Sequence, residues 1–139
     1  GVLRGLHFQL PPFAQSKLVR VIEGEVLDIS VDIREGSPTF GQHIAENLND
    51  RNKHQLFIPR GFAHGFVVLS ERAIFSYKVD NYFSSKSESG IAFDDPSLGI
   101  NWKLPLDKLN LSDKDLRQPR LDMLSDESSQ FNYKKNLYD

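Results

Sequence analysis

Hydrophobic and polar positions alternate with a period of two along most of the first two-thirds of the chain. Over 27–34, Leu, Ile, Val and Ile alternate with Asp, Ser, Asp and Arg, which predicts a half-buried strand with one apolar face. Segment 17–22 is apolar on both faces over most of its length and predicts a second strand, which a tight turn at 23–25 joins to the first. Further strands are predicted over 40–48, 54–59, 64–69 and 72–79.

Short strands with Gly and Pro turns between them predict an all-β sandwich or barrel. No helical pattern of ten or more residues interrupts them, which argues against alternating β and α units. From about Pro96 the chain becomes rich in Pro, Asp and Lys, and only short helical segments such as 112–117 are expected, with Ser112 at the start of that helix. We expect one domain over 1–125 and a polar C-terminal tail over 126–139, frayed from about Ser128.

The length and amino-acid composition argue against several classes of protein. A length of 139 residues fits one domain, and a net charge of −2 gives no strongly basic footprint for nucleic acid or an anionic membrane. The absence of Cys excludes a disulfide framework, a Cys-ligated zinc site and a thiol nucleophile. The longest apolar run, at 66–69, is far shorter than the roughly 18–20 residues of a membrane span.

Segment 4–9 carries an Arg, a Gly and a His within a strand-like stretch. Strict alternation would place Arg4 and His7 on opposite faces, because their separation is odd, but a bulge at Gly5 would relieve this. The alternative is an ordinary surface strand in which His7 has no special role.

Two segments bear on whether the chain binds a metal ion. His64 lies three residues after Gly61, which matches the second half of the metal-binding cupin pattern. The first half of that pattern requires a His-x-His pair followed by Glu, and the chain offers His7-Phe8-Gln9 instead. A stable divalent site needs three or four good ligands, so the sequence disfavours a metal.

Three more segments contain groups capable of chemistry. Tyr77 shares a strand face with Phe75 and Val79, so it is either a core tyrosine with a partner for its hydroxyl or a residue that points into a barrel. Lys17 lies on an apolar face of its own strand by the same alternation. Segment 111–115, taken alone, is an ordinary solvated run of charges.

Together these segments resemble the dTDP-4-dehydrorhamnose 3,5-epimerase family, in order and with few gaps from residue 1 to about 120. The matching segments are 1–9, 17–21, 24–26, 31–34, 37–41, 58–66, 68–71, 77–78, 95–96 and 111–115. The resemblance implies a cupin-like jelly-roll β-barrel (a double-stranded β-helix) with a short, partly helical C-terminal extension. It also implies a cytoplasmic homodimer that uses no metal or redox cofactor.

The resemblance also implies residue roles. His7 is similar to the family's general base, Asp115 to its hydrogen-bonding partner, Tyr77 to the proton donor and Lys17 to the cation near the C4 oxygen. The binding positions for the sugar nucleotide fall on Arg4, His64, Tyr82, Glu88 and Lys114. The family carries a further segment before these residues, so we expect that an N-terminal segment is missing from this numbering.

The substrate implied is a dTDP-linked 4-keto-6-deoxyhexose, whose C4 ketone acidifies the hydrogens at C3 and C5. A His that titrates near ~6.5 suits a base, and a Tyr that titrates near ~10 can donate a proton at neutral pH. The expected reaction converts dTDP-4-dehydro-6-deoxy-D-glucose to dTDP-4-dehydro-L-rhamnose, in dTDP-L-rhamnose biosynthesis. The alternatives are an epimerase of C3 or C5 alone, a metal-dependent cupin and a non-catalytic jelly-roll binding module.

Overall fold

The chain, in a computed structural model that describes all 139 residues, consists of eight β-strands, three short 3-10 helices and one short α-helix. The strands are β1 (Leu3–Gln9), β2 (Lys17–Glu23), β3 (Glu25–Asp32), β4 (His43–Asn49), β5 (Gln55–Ile58), β6 (Phe62–Val68), β7 (Ile74–Val79) and β8 (Glu88–Gly90). The 3-10 helices cover Leu106–Lys108, Asp115–Arg117 and Leu121–Met123, and α1 covers Ser125–Ser129. None of these helices combines the length and apolar character that crossing a bilayer would require.

The strands form two antiparallel sheets, in the orders β4-β3-β6-β1-β8 and β5-β2-β7. The all-β prediction is therefore confirmed. The larger apolar core lies on one side of the five-stranded sheet, where β1 and β3 pack against C-terminal residues such as Trp102 and Leu121. A smaller core, which includes Val19 and Val26, lies between the two sheets.

Strands β2 and β7 confirm the predicted alternation. Lys17 pairs with Val79 and Val19 pairs with Tyr77, so Lys17 and Tyr77 lie on the same face of adjacent strands. Both residues line a cavity between the sheets. The apolar side chains that share this face, Val19, Val21 and Phe75, pack in the smaller core, and this fixes which face points inward.

The prediction that β3 is half-buried is wrong. Its polar residues Asp28, Ser30 and Asp32 are only 0%, 3% and 2% exposed, so both faces of the strand are covered. The reason is that β3 lies between β4 and β6, and the face that carries Asp28 is covered by the second sheet. Asp28 and Asp32 are accommodated there because each has a cationic or imidazole partner.

The bulge expected at Gly5 is present in β1. The pairing of β1 with β6 shifts register between Arg4 and His7, and both of these residues line the same cavity. Gly5 adopts a φ of +125°, and a Cβ at this position would lie 2.5 Å from the Cα of Gly65. Only glycine fits this approach of the two backbones.

The C-terminal part of the chain differs from the expectation. The short helix predicted at 112–117 is present as a 3-10 turn, and the Asp115 amide donates to the Ser112 hydroxyl. The predicted fraying from Ser128 is wrong, because Phe131 is 1% exposed in the larger core and meets the Phe8 ring edge-on, with centroids 5.9 Å apart. The polar segment is therefore anchored on the barrel at its start by a buried aromatic residue.

Candidate active site

A cavity of about 520 Å³ opens between the two sheets, with walls from β1, β2, β6 and β7. Seven of the nine predicted site residues line it, namely Arg4, His7, Lys17, His64, Tyr77, Glu88 and Lys114. Asp115 lies behind His7, and Tyr82 lies outside the lining. The fold therefore brings together residues more than 100 positions apart in sequence.

His7 is held by a buried carboxylate. Its Nε2 lies 2.5 Å from Oδ1 of Asp115, whose other oxygen accepts a hydrogen bond of 3.0 Å from the Ser112 hydroxyl. Burial lowers the pKa of His7 below its usual 6.5 and outweighs the Asp115 carboxylate, which acts to raise it. The imidazole is therefore neutral at neutral pH, with its Nδ1 available as a base.

Lys17, the first residue of β2, is placed in a desolvated position on the inner face of the second sheet. Burial lowers its pKa from the usual 10.5 and outweighs the carboxylates of Asp28 and Glu88, which act to raise it. Lys17 and Tyr77 line the same cavity from the adjacent strands β2 and β7. An ammonium group in this position stabilises negative charge that develops inside the cavity.

A second imidazole–carboxylate pair was missed by the sequence analysis. His64 Nε2 lies 2.7 Å from Oδ2 of the fully buried Asp28, and the Oδ1 atom of Asp28 has no hydrogen-bond partner. The His64 ring also lies beside Phe66 and Phe75, with centroids 6.5 Å and 6.3 Å away. The signal for this pair was the polar series of β3, which we had assigned to solvent.

The aromatic residues of the site occupy different depths. Tyr77 is 57% exposed and meets the Phe75 ring at 5.8 Å, so its hydroxyl group is accessible from the cavity mouth. Tyr82 is 84% exposed and lies outside the lining, whereas the next residue, Phe83, lines the cavity. Sequence analysis did not identify Phe83, because two adjacent aromatic residues in a loop give no indication of which one borders the cavity; Phe83 itself is 68% exposed.

Two predicted binding residues are paired with each other. The Lys114 ammonium donates to both carboxylate oxygens of Glu88, each at 3.0 Å. Arg4 donates from Nη1 to the carbonyl oxygens of Leu3 and Asn110, at 2.8 Å and 3.4 Å. Both cations remain at the cavity wall.

The residues do not fit a metal centre. No group of three or more His, Cys, Asp or Glu side chains is positioned to hold a metal ion. Gln9, which stands where the cupin pattern would supply a ligand, uses its carboxamide to fix two loops. Its Nε2 donates to the carbonyls of Phe13 and Tyr82, at 2.7 Å and 3.0 Å, and its Oε1 accepts from the Ser84 amide at 2.8 Å.

Similarity to known proteins agrees with this geometry. A family model described as dTDP-4-dehydrorhamnose 3,5-epimerase matches residues 1–123. The dTDP-4-dehydrorhamnose 3,5-epimerase of Shigella flexneri is 56% identical over 116 residues, which cover 84% of this chain and 63% of that protein. The enzyme of the same name from Salmonella typhimurium is 57% identical over 123 residues, which cover 88% of this chain and 66% of that protein.

A solved structure is also similar. The crystal structure of a dTDP-6-deoxy-D-glucose-3,5-epimerase from Legionella pneumophila, in complex with dTDP-4-keto-L-rhamnose, superposes with a TM-score of 0.90 and 46% identity. The superposition covers 98% of this chain and 70% of that one. In the Shigella and Salmonella enzymes, by contrast, the match spans slightly less than two-thirds of the relative's length.

Proposed function

Because the chain belongs to the dTDP-4-dehydrorhamnose 3,5-epimerase family, we propose that it epimerises dTDP-4-dehydro-6-deoxy-D-glucose at C3 and C5 to give dTDP-4-dehydro-L-rhamnose. No cofactor takes part in the proposed reaction. The observation that carries the proposal is the common cavity of His7, Lys17 and Tyr77, with Asp115 behind His7. These groups are the base, the cation and the acid that an epimerisation beside a ketone needs.

In the first step, Nδ1 of His7 takes the proton from C3 or C5. The electron pair of the broken C–H bond forms the double bond to C4, and the carbonyl electrons move onto the C4 oxygen. Oδ1 of Asp115, 2.5 Å from Nε2, accepts the hydrogen bond of the Nε2 proton and stabilises the imidazolium that forms. The two carbons react in turn, since each is adjacent to the same ketone.

Lys17 stabilises the enolate oxygen in this proposal. Its ammonium is desolvated, so its interaction with a developing oxyanion is less screened than it would be in water. A preorganised donor of this kind contributes about 3–4 kcal/mol to the barrier reduction. The carboxylates of Asp28 and Glu88 act to raise the pKa of Lys17 and so oppose the effect of burial.

Tyr77 completes the inversion by donating its phenolic proton to the carbon from the opposite ring face. The carbon–hydrogen bond forms as the O–H bond breaks, which leaves a tyrosinate. Because Tyr77 is more than half exposed, water restores its proton, and water likewise removes the proton from His7. Each cycle therefore exchanges one carbon-bound hydrogen with solvent.

The diphosphate of the substrate is proposed to bind the cations of the cavity wall. Arg4 has the guanidinium geometry that suits phosphate oxygens, and Lys114 and His64 add positive or donor groups nearby. Glu88 orients Lys114 through the paired contacts of 3.0 Å. Tyr82 is proposed to cover the substrate from the exposed loop beside Phe83.

We also propose that the enzyme is a homodimer that acts in the cytoplasm. The outer face of β5-β2-β7 exposes four large apolar side chains, Leu18, Ile22, Phe57 and Ile74. A second copy is the occupant we propose for this face, since adjacent apolar residues on a sheet are seldom left in water. Light scattering of the full-length protein should give twice the monomer mass, and Phe57→Glu should halve it, whereas Met123→Glu, at an exposed position elsewhere, should not.

The decisive test of the activity is hydrogen exchange in deuterated water. The enzyme is incubated with dTDP-4-dehydro-6-deoxy-D-glucose, and deuterium at C3 and C5 is followed by NMR. Incorporation at both carbons with formation of the L-rhamno product supports the proposal. Incorporation at one carbon only would instead establish a mono-epimerase, and a requirement for Fe or Zn would establish a metal-dependent cupin.

A further inference from the structure

The last residues of the chain form a strap that contacts the segment after β3, the turn between β5 and β6, and the residue before β2. This strap, residues 131–139, lies beyond the family match, which ends at residue 123. Phe131 anchors its beginning in the larger core. Near its end, the Arg60 guanidinium lies over the Tyr138 ring, with 4.9 Å from Cζ to the ring centroid, and donates from Nη1 to the Leu137 carbonyl at 3.1 Å.

The Tyr138 hydroxyl joins the strap to the start of β2. It lies 2.9 Å from the hydroxyl of Ser16, which is buried, and accepts from the Arg60 amide at 3.3 Å. Ser16 directly precedes Lys17, so the hydroxyl contact acts one residue from the cation of the site.

Ser16 is also held by Asp80, which directly follows the end of β7. The Ser16 amide donates to Oδ1 of Asp80 at 2.7 Å, and Oδ2 of Asp80 lies 3.2 Å from Nη2 of Arg60. Arg60 thereby links Asp80 to the strap. The contacts form a closed ring that runs from Tyr138 to Ser16, Asp80 and Arg60 and back to Tyr138. This ring lies next to the paired residues Lys17 and Val79.

From this ring we propose that Tyr138 is a positioning residue, whose hydroxyl fixes the start of β2 and thereby the depth of Lys17 in the cavity. The expected effect on turnover rests on the proposed function, whereas the effect of Tyr138 on the position of Lys17 does not. Tyr138 is not among the residues that line the cavity, and its contacts reach the start of β2 through Ser16 directly and through Arg60 and Asp80.

The depth of Lys17 matters because the side chain is long and its charged group is desolvated. If the start of β2 moves outward, water enters around the ammonium and its distance to the enolate oxygen changes. Displacement of a catalytic group by about 1 Å is enough to lower turnover strongly, even when the substrate still binds.

The test compares two tyrosine variants of the same strap. Tyr138→Phe removes the hydroxyl that bonds Ser16 and keeps the ring over Arg60. The matched control is Tyr133→Phe, which removes a hydroxyl from a ring that stacks on Arg34, outside the Ser16 ring of contacts. We expect kcat of Tyr138→Phe to fall about threefold to tenfold, a factor that corresponds to the net free energy of one hydrogen bond. We expect KM to change by less than about twofold. Tyr133→Phe should keep the wild-type kcat.

A second readout does not depend on activity. With ¹³C-labelled lysine, NMR titration of the full chain reports the pKa of Lys17, assigned by its loss in Lys17→Met. We expect Tyr138→Phe to raise this pKa by at least about half a pH unit towards its ordinary value, because hydration favours the charged form. Ser16→Ala should raise the pKa of Lys17 in the same direction, and the double variant should exceed Tyr138→Phe by little, since both single variants remove the hydroxyl contact between Tyr138 and Ser16.

The outcomes separate the two proposals. If the wild type exchanges no hydrogen at C3 or C5, the proposed function fails, and the Lys17 titration still decides the role of Tyr138. If Tyr138→Phe lowers only the melting temperature, with the Lys17 pKa at its wild-type value, Tyr138 is a structural residue and the inference is overturned.

Discussion

At the level of single residues, two imidazoles in one cavity each face a buried carboxylate, and their surroundings separate their roles. His7 is about one-fifth exposed, with its partner on a surface turn, so it can return a proton to water after each step. His64 lies deeper, between Asp28 and two phenylalanines, with only 7% of its side chain exposed. Base chemistry is therefore expected at His7 and substrate positioning at His64.

The pH dependence of the reaction should follow the neutral form of His7. Because burial lowers its pKa, kcat/KM should stay high down to pH 6.5 and fall through a midpoint below that value. Asp115→Asn should lower kcat by about 10²–10⁴-fold, the range that a positioned general base contributes, because the carboxylate fixes the tautomer of that base. Ser112→Ala is the control, since it retains the carboxylate. A midpoint above 6.5 in the wild-type profile would contradict the assignment of His7.

Tyr77→Phe separates proton removal from proton return. The variant keeps the ring against Phe75 but loses the only proton that Tyr77 can donate. We expect deuterium exchange at C3 or C5 to continue on the face of His7, while formation of the inverted product falls by about 10²–10⁴-fold. Tyr133→Phe should behave as wild type in the same NMR assay. Equal rates of inversion in Tyr77→Phe and wild type would remove Tyr77 from the mechanism.

At the level of the strands, the alternation of hydrophobic and polar residues predicts well which side chains share a face of a strand. It predicts poorly whether that face contacts solvent or protein. The inward positions of Lys17 and Tyr77 followed from parity within β2 and β7, which is a local property of the backbone. The burial of Asp28 did not follow, because it depends on a sheet that is distant in sequence. A polar face that lines a barrel interior has the same sequence pattern as one that faces solvent.

The bulge of β1 gives a test at the same level. Gly5→Ala introduces a Cβ that would lie 2.5 Å from the Cα of Gly65, at a φ of +125°. Gly36→Ala is a matched control, because its φ of +79° is also positive but nothing lies within 4 Å of the added Cβ. We expect Gly36→Ala to cost about 1–2 kcal/mol of unfolding free energy and Gly5→Ala clearly more, measured by urea denaturation. Equal costs would show that the backbone approach at Gly5 is not restrictive.

At the level of the whole molecule, the site depends on contacts that sequence spacing does not encode. The resemblance identified His7 and Asp115 as partners, and the fold places them 2.5 Å apart across 108 residues of sequence. The pair of Asp28 with His64 and the place of Phe83 at the cavity lay outside that resemblance, because both depend on how distant segments pack. The strap was missed for another reason, since a mostly polar segment was assumed to have nothing to bury.

A buried charge cluster connects the barrel to this strap and should govern stability in acid. Asp32 accepts from Nε and Nη2 of Arg34 at 2.9 Å and 2.8 Å, and from the hydroxyls of Ser37 and Thr39, each at 2.6 Å. Burial acts to raise the pKa of Asp32, but these hydrogen bonds outweigh it and lower the pKa to about 2. Arg34 in turn stacks on the ring of Tyr133, so the carboxylate holds a residue that the strap needs.

Since the folded-state pKa of Asp32 lies below its unfolded value of 3.8, the ionised form contributes stability above pH 4 that is lost as pH falls towards 2. The pKa difference corresponds to about 2 kcal/mol. We expect Asp32→Asn to lower the unfolding free energy at pH 7 by at least this amount and to flatten its decline between pH 4 and 2, as measured by urea denaturation across that range. Asp94→Asn, at an exposed carboxylate, should leave both quantities at wild-type values. An unchanged acid slope in Asp32→Asn would mean that other carboxylates set the acid limit of the fold.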